Sequence, residues 1–406
     1  MGRAGRFRRR HMTVMTSRTD IYLDHNAGAP LRPQVAELVC RVLMRTGNAS
    51  SVHGPGRRAR GAIETARAQV ARLCGVPGAQ VSFTCGATEA NVTALSPVWK
   101  DGRGERRFTR LLVAASEHPS VAAGGRFPAE ARESVPVDGR GLVDPAALAA
   151  RVAELTAAGE SVLVAVMAAN NETGVLQPLS EISAALKGSD AVLHVDGVQA
   201  AGRIAIDMEA WGADSLALSA HKIGGPQGAG AIVVRRAGLH PAPLLTGGGQ
   251  ENWRRAGTEN VAAIAGFGLA AEQAAAELVG WDEIRALRDG MERELRHIWA
   301  DTVVFGADAP RLANTSCFAV PGVAAETALI ALDLEGIAVS SGSACSSGKV
   351  GVSPVLSAMG IDKDLARGAI RISLGRETAP EEIEQFLAAW RRISGRIRQA
   401  GAGRAA

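Results

Sequence analysis

Short apolar segments alternate with helical patterns along much of the chain from about residue 60. Helical spacing of apolar residues occurs at 58–75, at 87–95 and at 178–188. Because strands buried on both faces and separated by helices favour one architecture, we expect an α/β fold with a doubly wound, mostly parallel sheet. The segments that predict strands are VSF at 81–83, RLLVAAS at 110–116, SVLVAVMAA at 161–169, AVLHVD at 191–196, SLALSA at 215–220 and GAIVVR at 230–235.

The pattern changes in the last third of the chain. From Trp281 to Trp299 apolar residues recur at intervals of three and four, which predicts one long amphipathic helix. We expect a large domain over 21–280, whose first segment can pack with the small domain, and a smaller α+β domain over 281–406. The segments that predict this smaller domain are SCFAV at 316–320, IAVSSG at 337–342, AIRISLG at 369–375 and a closing helix at 380–393.

Composition narrows the class of protein. The chain has 406 residues, of which 47% are hydrophobic and 21% charged, the balance of a globular protein with a large core. Disordered and collagen-like classes are excluded, and no apolar run is long enough to cross a membrane. We expect a cytoplasmic protein.

Positive charge is concentrated at the N-terminus. The net charge is +4, and six arginines lie within the first eighteen residues. This segment lacks the apolar stretch and cleavage site of a secretory signal, so we interpret residues 1–20 as a disordered basic arm or an expression tag.

The five cysteines form no CxxC pair and no Cys/His cluster with the spacing of metal ligands. We therefore expect no metal site and a reducing compartment. Cys40, Cys74 and Cys317 lie in apolar surroundings, which is typical of core cysteines.

Cys345 lies in a different context, the stretch SSGSACSSG at 340–348. A run of small residues packs no core, so the stretch predicts a mobile loop. Two interpretations follow: a surface linker with an incidental thiol, or a nucleophile that must move to its target.

Three polar features follow predicted strands, where ligands of such sheets bind. Lys222 follows SLALSAH and precedes a glycine-rich turn, where partial burial would lower its pKa and favour Schiff-base chemistry. Asp196 ends VLHVD, and a buried carboxylate there requires a cationic partner, such as the ring nitrogen of pyridoxal phosphate. In FTCGATEAN a helix follows Gly86, and its first amides together with Thr88 can hold a phosphate.

Many motifs, in order and spacing, resemble cysteine desulfurases of the NifS/IscS type, in the class V branch of fold-type-I pyridoxal-phosphate enzymes. The resemblance runs from about residue 21 to about 390. The motifs are YLDHNAGAPLRP, GNASSVHGPGRRAR, FTCGATEAN, EHPSV, VMAANNETGVLQP, HVDGVQAAG, SAHKIGGPQGAG, RAGTEN, SSGSACSSG and IRISLGR.

The resemblance implies a role for each candidate residue. Lys222 would bond the cofactor, Asp196 pair with its ring nitrogen, and Gln199 contact its ring hydroxyl. His118 would stack on the ring and move protons. The implied phosphate ligands are Ala87, Thr88, Ser219, His221 and, from a partner subunit, Thr258; the implied cofactor and substrate-carboxylate ligands are Asn171, Arg371 and Asn26.

The motifs depart from the family pattern in two places. Gly28 and Ala29 stand where threonines are common, which removes two hydroxyls near the substrate. Cys85 stands where serine is usual, and we expect it to have a packing role. We interpret His194 and His53 as structural.

By this resemblance the protein removes sulfur from L-cysteine, gives L-alanine and carries the sulfur as a persulfide on Cys345. It implies a homodimer and a protein acceptor, such as an iron–sulfur cluster scaffold or a thiolation enzyme, with no membrane or direct nucleic-acid partner. Alternatives are a selenocysteine lyase or another class V enzyme, which needs no loop thiol. A non-enzymatic nucleic-acid-binding or scaffold protein, using the basic arm, is the remote alternative.

Overall fold

The computed structural model describes residues 21–102, 104–342 and 352–405. The expected basic arm at 1–20 and the candidate nucleophile Cys345 lie outside the described residues.

The strands of the described chain fall into four sheets. Numbered in chain order, they are β1 (Ile21–Tyr22), β2 (Val81–Thr84), β3 (Val98–Asp101), β4 (Gly104–Arg107), β5 (Arg110–Ala114), β6 (Arg132–Val135), β7 (Val162–Ala165), β8 (Val192–Asp196), β9 (Ser215–Ser219), β10 (Gly230–Val234), β11 (His240–Pro241), β12 (Val303–Val304), β13 (Thr315–Ala319), β14 (Ile337–Ala338), β15 (Ser340–Ser341) and β16 (Ile370–Ser373).

The α-helices lie between these strands and at the end of the described chain. They are α1 (Pro33–Leu43), α2 (Gly54–Leu73), α3 (Ala87–Ala94), α4 (Pro119–Ala122), α5 (Pro145–Ala157), α6 (Leu179–Ala185), α7 (Val261–Ala276), α8 (Trp281–Ile298), α9 (Ala325–Leu334), α10 (Pro354–Ala358), α11 (Lys363–Arg367) and α12 (Pro380–Ala405).

The largest sheet has the strand order β2-β10-β9-β8-β7-β5-β6. Its strands from β9 to β6 pair in parallel, whereas β10 runs antiparallel to both β2 and β9. Successive residues of one strand reach different cores: Leu112 and Val164 pack in one cluster, and Leu111 and Leu163 pack in another. The sheet is therefore buried on both faces, and the predicted doubly wound α/β fold is confirmed.

The C-terminal region forms a second core around a four-stranded antiparallel sheet of order β12-β13-β16-β15. Phe318 and Trp390 meet edge to face there, with ring centroids 5.2 Å apart. Ile21 and Leu23 belong to the same cluster, because β1 pairs in parallel with β14. We propose a division after residue 280, with the first described segment packed into the smaller domain.

Several elements differ from the sequence predictions. The antiparallel unit β11-β3-β4 and the helix α7 were not predicted. IAVSSG contains two short strands rather than one, and α12 continues to Ala405. Among the described helices, none alone is long and apolar enough to cross a membrane, although the pair Val261–Ala276 and Leu278–Ile298, bent by 54°, meets both criteria jointly.

Candidate active site

A cavity of about 510 Å³ lies at the carboxyl ends of the central strands of the large sheet. The sheet topology explains its composition, because residues that follow parallel strands meet at one edge. Thr258 lies instead in a neighbouring pocket, which shares Cys85 and Gly228 with this cavity. The sequence-predicted residues that line the cavity are Asn26, Ala87, Thr88, His118, Asn171, Asp196, Gln199, Ser219, His221, Lys222 and Arg371.

Lys222 lies in the short turn that follows β9, and its side chain is half-buried. Its Nζ donates to the backbone oxygen of Asn26 at 2.6 Å and to that of Ala27 at 2.9 Å. Two carbonyls thus hold the amine at the cavity wall, where it can meet an aldehyde of a bound molecule.

Asp196 ends β8 and is only 6% exposed. Its Oδ2 accepts from Asn91 Nδ2 at 2.8 Å, and its Oδ1 accepts from the backbone nitrogen of Val198 at 3.0 Å. Neither donor carries a net charge, so the carboxylate brings a negative charge to the cavity. Gln199 lies beside it and donates through Nε2 to the oxygen of Asn26 at 3.1 Å.

The other end of the cavity suits an anion. Helix α3 begins there at Ala87, and the first amides of a helix have no acceptor within the helix. Ser219 Oγ lies 2.8 Å from His221 Nδ1, while burial and the charge of Lys222 lower the pKa of His221 to about 4.

A close approach between two backbones fixes this anion site. A Cβ added to Gly230 of β10 would lie 2.5 Å from the carbonyl carbon of Gly86 and 2.7 Å from the oxygen of Leu218. Only a glycine at 230 lets the turn before α3 lie this close to the neighbouring strand.

His118 lies after β5, at the start of helix α4. Burial lowers its pKa, the carboxylate of Asp196 opposes this change, and the positive charge of Lys222 adds to it. The ring therefore favours the neutral form, which can accept a proton.

Arg371 of β16 is 2% exposed and lines the cavity. Its Nη2 donates to Asp24 Oδ1 at 2.7 Å, and its Nη1 donates to the oxygen of Asn171 at 3.0 Å. Its Nε is buried and has no hydrogen-bond partner among the described residues. The site thus presents a buried guanidinium with unused donor capacity, as a carboxylate requires.

Gly28 and Ala29, which stand where the family pattern has threonines, lie in a segment held by hydrogen bonds of the backbone. The oxygen of Gly28 accepts from Tyr22 Oη at 2.8 Å, and the nitrogen of Ala29 donates to the oxygen of His221 at 2.9 Å. This backbone bonding fixes the segment without side-chain hydroxyls.

The packing role expected for Cys85 is wrong, because its side chain is exposed at the cavity. A hydrogen bond from the thiol to Glu89 is the main reason that its pKa is raised, with burial second. Cys85 is therefore held as a thiol, which is a poor nucleophile.

Sequence reasoning missed three buried polar residues behind the cavity: Asn91, Glu117 and Glu172. Burial raises the pKa of Glu117 well above its usual range, and the charge of Asp196 adds to this effect. All three lie within motifs given above: Asn91 ends FTCGATEAN, Glu117 directly precedes His118 in EHPSV, and Glu172 directly follows Asn171 in VMAANNETGVLQP. Polar residues on buried positions of those motifs were the signal that could have found them.

A larger cavity of about 600 Å³ lies on another side of Lys222. Its walls include Arg32, Glu277 and Arg376. Glu277 pairs with both arginines: Arg32 Nη1 lies 2.8 Å from its Oε1, and Arg376 Nε lies 3.5 Å from its Oε2. It lacks Asp196 and the start of α3. Of these two cavities along the described chain, the smaller one is therefore the one that combines an amine, a carboxylate and an anion site.

Comparison with known proteins places these residues in context. The family model described as aminotransferase class V matches residues 21–386. A cysteine desulfurase IscS from Dictyoglomus turgidum is 38% identical over 384 residues, which cover 93% of this chain and 95% of that protein.

Solved structures agree with this match. A NifS-like protein from Rickettsia africae ESF-5 has a TM-score of 0.82 at 34% identity, covering 93% of this chain and 99% of that one. A structure described as SspA in complex with cysteine has a TM-score of 0.72 at 25% identity, covering 88% and 99%.

Proposed function

The chain belongs to the class V aminotransferase family and is a cysteine desulfurase that uses pyridoxal 5′-phosphate, and from its cavity we propose the role of each residue in that reaction. The observation that carries this proposal is the convergence on one cavity of Lys222, Asp196, the start of α3 and Arg371. Each supplies one property that the cofactor or an amino acid requires.

The residues present fit the cofactor. Asp196 is the buried negative partner for a protonated ring nitrogen, with Gln199 beside it for the ring hydroxyl. Lys222 is the amine for its aldehyde. When bound, the cofactor withdraws electrons from the substrate amine carbon. The residues that would hold its phosphate are Ala87, Thr88, Ser219 and His221, which line that end of the cavity.

The substrate is L-cysteine, whose carboxylate pairs with Arg371, with Asn171 and Asn26 beside it. Lys222 and the neutral ring of His118 move the protons. The thiolate of Cys345 attacks the substrate sulfur, so that a sulfur–sulfur bond forms as the carbon–sulfur bond breaks. L-alanine leaves after protonation, and the enzyme retains a persulfide with no need for an external oxidant.

The active unit is a homodimer in which Thr258 reaches the partner's phosphate site. Thr258 is exposed, and it lies in the segment 244–258 together with exposed apolar side chains of Leu244, Leu245 and Trp253. Exposed apolar residues close to an active site are typical of a shared interface.

The persulfide passes to an acceptor protein in the cytoplasm, an iron–sulfur cluster scaffold or a thiolation enzyme. The chemistry supports a protein acceptor, because a thiolate can take the outer sulfur by the same exchange that loaded it.

Replacing Cys345 tests this function. Cys345→Ser should bind the cofactor normally, since none of the described cavity residues is changed, and borohydride reduction should still attach the cofactor to Lys222. With a reducing thiol present to free sulfide from the persulfide, sulfide and alanine release from L-cysteine should fall by several orders of magnitude, because a hydroxyl is a far poorer nucleophile towards sulfur.

Cys85→Ser is the matched control, since it removes the thiol that lines the cavity and should keep most of the activity. Near-parent sulfide release by Cys345→Ser, with loss in Cys85→Ser, would reverse the assignment of the nucleophile.

A further inference from the structure

Asn91 lies in α3, fully buried behind the cavity, and contacts three polar side chains, of which Asp196 and Ser120 line the cavity. Its Nδ2 donates to Asp196 Oδ2 at 2.8 Å and to Ser120 Oγ at 2.9 Å. Its Oδ1 lies 2.9 Å from His194 Nε2. The orientation of the amide is fixed by chemistry, because an ionised carboxylate only accepts and must face the NH₂ group.

This orientation fixes the proton of His194. Since Asn91 presents its oxygen to His194, Nε2 of that ring must carry hydrogen, and Nδ1 accepts from Ser215 Oγ at 2.8 Å. Burial lowers the pKa of His194 to about 3, so the ring is neutral and has only this one proton.

The same orientation reaches His118 through Ser120. Because Ser120 Oγ accepts from Asn91, its own hydrogen is available to His118 Nδ1, which lies 2.8 Å away. The backbone nitrogen of Ser120 also donates to that Nδ1, at 3.1 Å. With two donors on Nδ1, a neutral His118 carries its proton on Nε2.

We propose that Asn91 is a positioning residue that turns the hydroxyl of Ser120 towards Nδ1 of His118, where it reinforces the Nε2–H tautomer, and that holds the carboxylate of Asp196 as a hydrogen-bond acceptor. One amide thereby orients both His118 and Asp196, although Asn91 itself does not line the cavity. The proposal rests on the function proposed above for His118 and Asp196. His194, which the sequence assigned a structural role, supports the amide from behind.

Three variants test the proposal. Asn91→Asp keeps the shape but faces Asp196 with a second carboxyl group, so one proton must be shared, and the hydroxyl of Ser120 is drawn away from His118. Ser120→Ala removes only the link to His118. Thr93→Val is the matched control, because Thr93 is buried in the same helix and its hydroxyl bonds, within the described part of the chain, only to the oxygen of Glu89.

The direct readout is ¹⁵N-histidine NMR of the holoenzyme, with the His118 signals assigned by His118→Gln. The parent should show the Nε2–H tautomer with a lowered pKa. Asn91→Asp and Ser120→Ala should each raise the pKa of His118, the former by about one unit or more, because a donor to Nδ1 is lost.

Cofactor affinity, measured from the absorbance of the bound cofactor, separates the effect of Asn91 on Asp196 from its effect on His118. Asn91→Asp should weaken binding at least tenfold, whereas Ser120→Ala and Thr93→Val should bind as the parent does. An unchanged tautomer and pKa of His118 in both test variants, whatever their melting temperatures, would overturn the proposal.

If Asn91→Asp fails to fold, Ser120→Ala alone tests the proposal. An unchanged pKa of His118 in that variant would contradict the link from Asn91 through Ser120 to His118. Because the NMR readout needs no turnover, failure of the proposed desulfurase function would appear separately, as a parent enzyme that releases no sulfide from cysteine.

Discussion

At the scale of single residues, Glu172 is a titratable group placed where its charge is costly. Its carboxylate accepts from Ser353 Oγ, and Ser353 Oγ in turn accepts from the nitrogen of Leu356 at 3.0 Å, at the start of α10. Burial raises the pKa of Glu172 to about 7, although the bond from Ser353 and the charge of Arg371 oppose this effect. Glu172 therefore titrates near neutral pH in the folded protein.

Glu172→Gln should remove a pH dependence of stability. Below pH 4.5 the parent carboxyl is protonated in both the folded and unfolded states, so it has no effect on the slope. From pH 4.5 to about 7 only the unfolded state ionises, so the parent's free energy of unfolding should fall relative to the variant's. The full difference should be on the order of 3 kcal/mol. Urea denaturation between pH 5 and 8 measures it, and equal slopes for both proteins would contradict the shifted pKa.

At the scale of elements, the turn at 250–253 combines backbone strain with a buried ion pair. Glu251, Asn252 and Trp253 all have positive φ, at 49°, 55° and 64°. Glu251 is 4% exposed, and its oxygens lie 2.6 and 2.9 Å from the two terminal nitrogens of Arg67. This pair holds an unfavourable backbone in place, and Trp253 is left 75% exposed.

Glu251→Gln should lower the free energy of unfolding by about 3–5 kcal/mol, because it leaves the buried guanidinium of Arg67 without its main partner. Glu64→Gln is the matched control. Glu64 also pairs with Arg67 but is half-exposed, so its loss should cost under about 1 kcal/mol. Denaturant titration of both variants measures the difference, and equal losses would show that the turn does not depend on the buried pair.

At the scale of the whole molecule, segment 244–258 is anchored within its own chain by two ion pairs. Glu251 binds Arg67, and Arg255 Nε lies 3.0 Å from Glu89 Oε1 in α3. The segment is therefore a fixed part of the chain, and it leaves Trp253 and Thr258 exposed. A rigid, exposed aromatic residue is a common anchor of protein interfaces.

Trp253→Glu should dissociate the proposed homodimer and, because Thr258 is then withdrawn from the partner's site, weaken cofactor retention. Analytical ultracentrifugation and cofactor absorbance measure the two effects. Val279→Glu is the matched control, since Val279 is 88% exposed in another part of the chain. A monomeric parent that is fully active would contradict the shared site.

The sequence predicted the cavity residues that follow strands, because the topology of parallel sheets brings those positions together whatever their distance along the chain. It did not predict the network of Asn91, which depends on which buried side chains face each other. Helix α7 was missed because most of its surface is buried, so its apolar residues show no amphipathic period. The unit β11-β3-β4 was missed because GERR at 104–107 lacks an alternating apolar pattern.

The pairing of β1 with β14 has a consequence for the order of folding. Asn26, whose carbonyl holds Lys222, follows β1 and is bonded to two residues far along the chain. Its nitrogen donates to Ser373 Oγ of β16 at 2.9 Å, and its Oδ1 accepts from Asn314 Nδ2 at 3.1 Å. Contacts so distant along the chain form slowly and require nearly complete synthesis. On the ribosome, the large sheet has all its strands by residue 234, yet capture of the cofactor should await the emergence of β16. Nascent chains ending before residue 370 should therefore remain colourless.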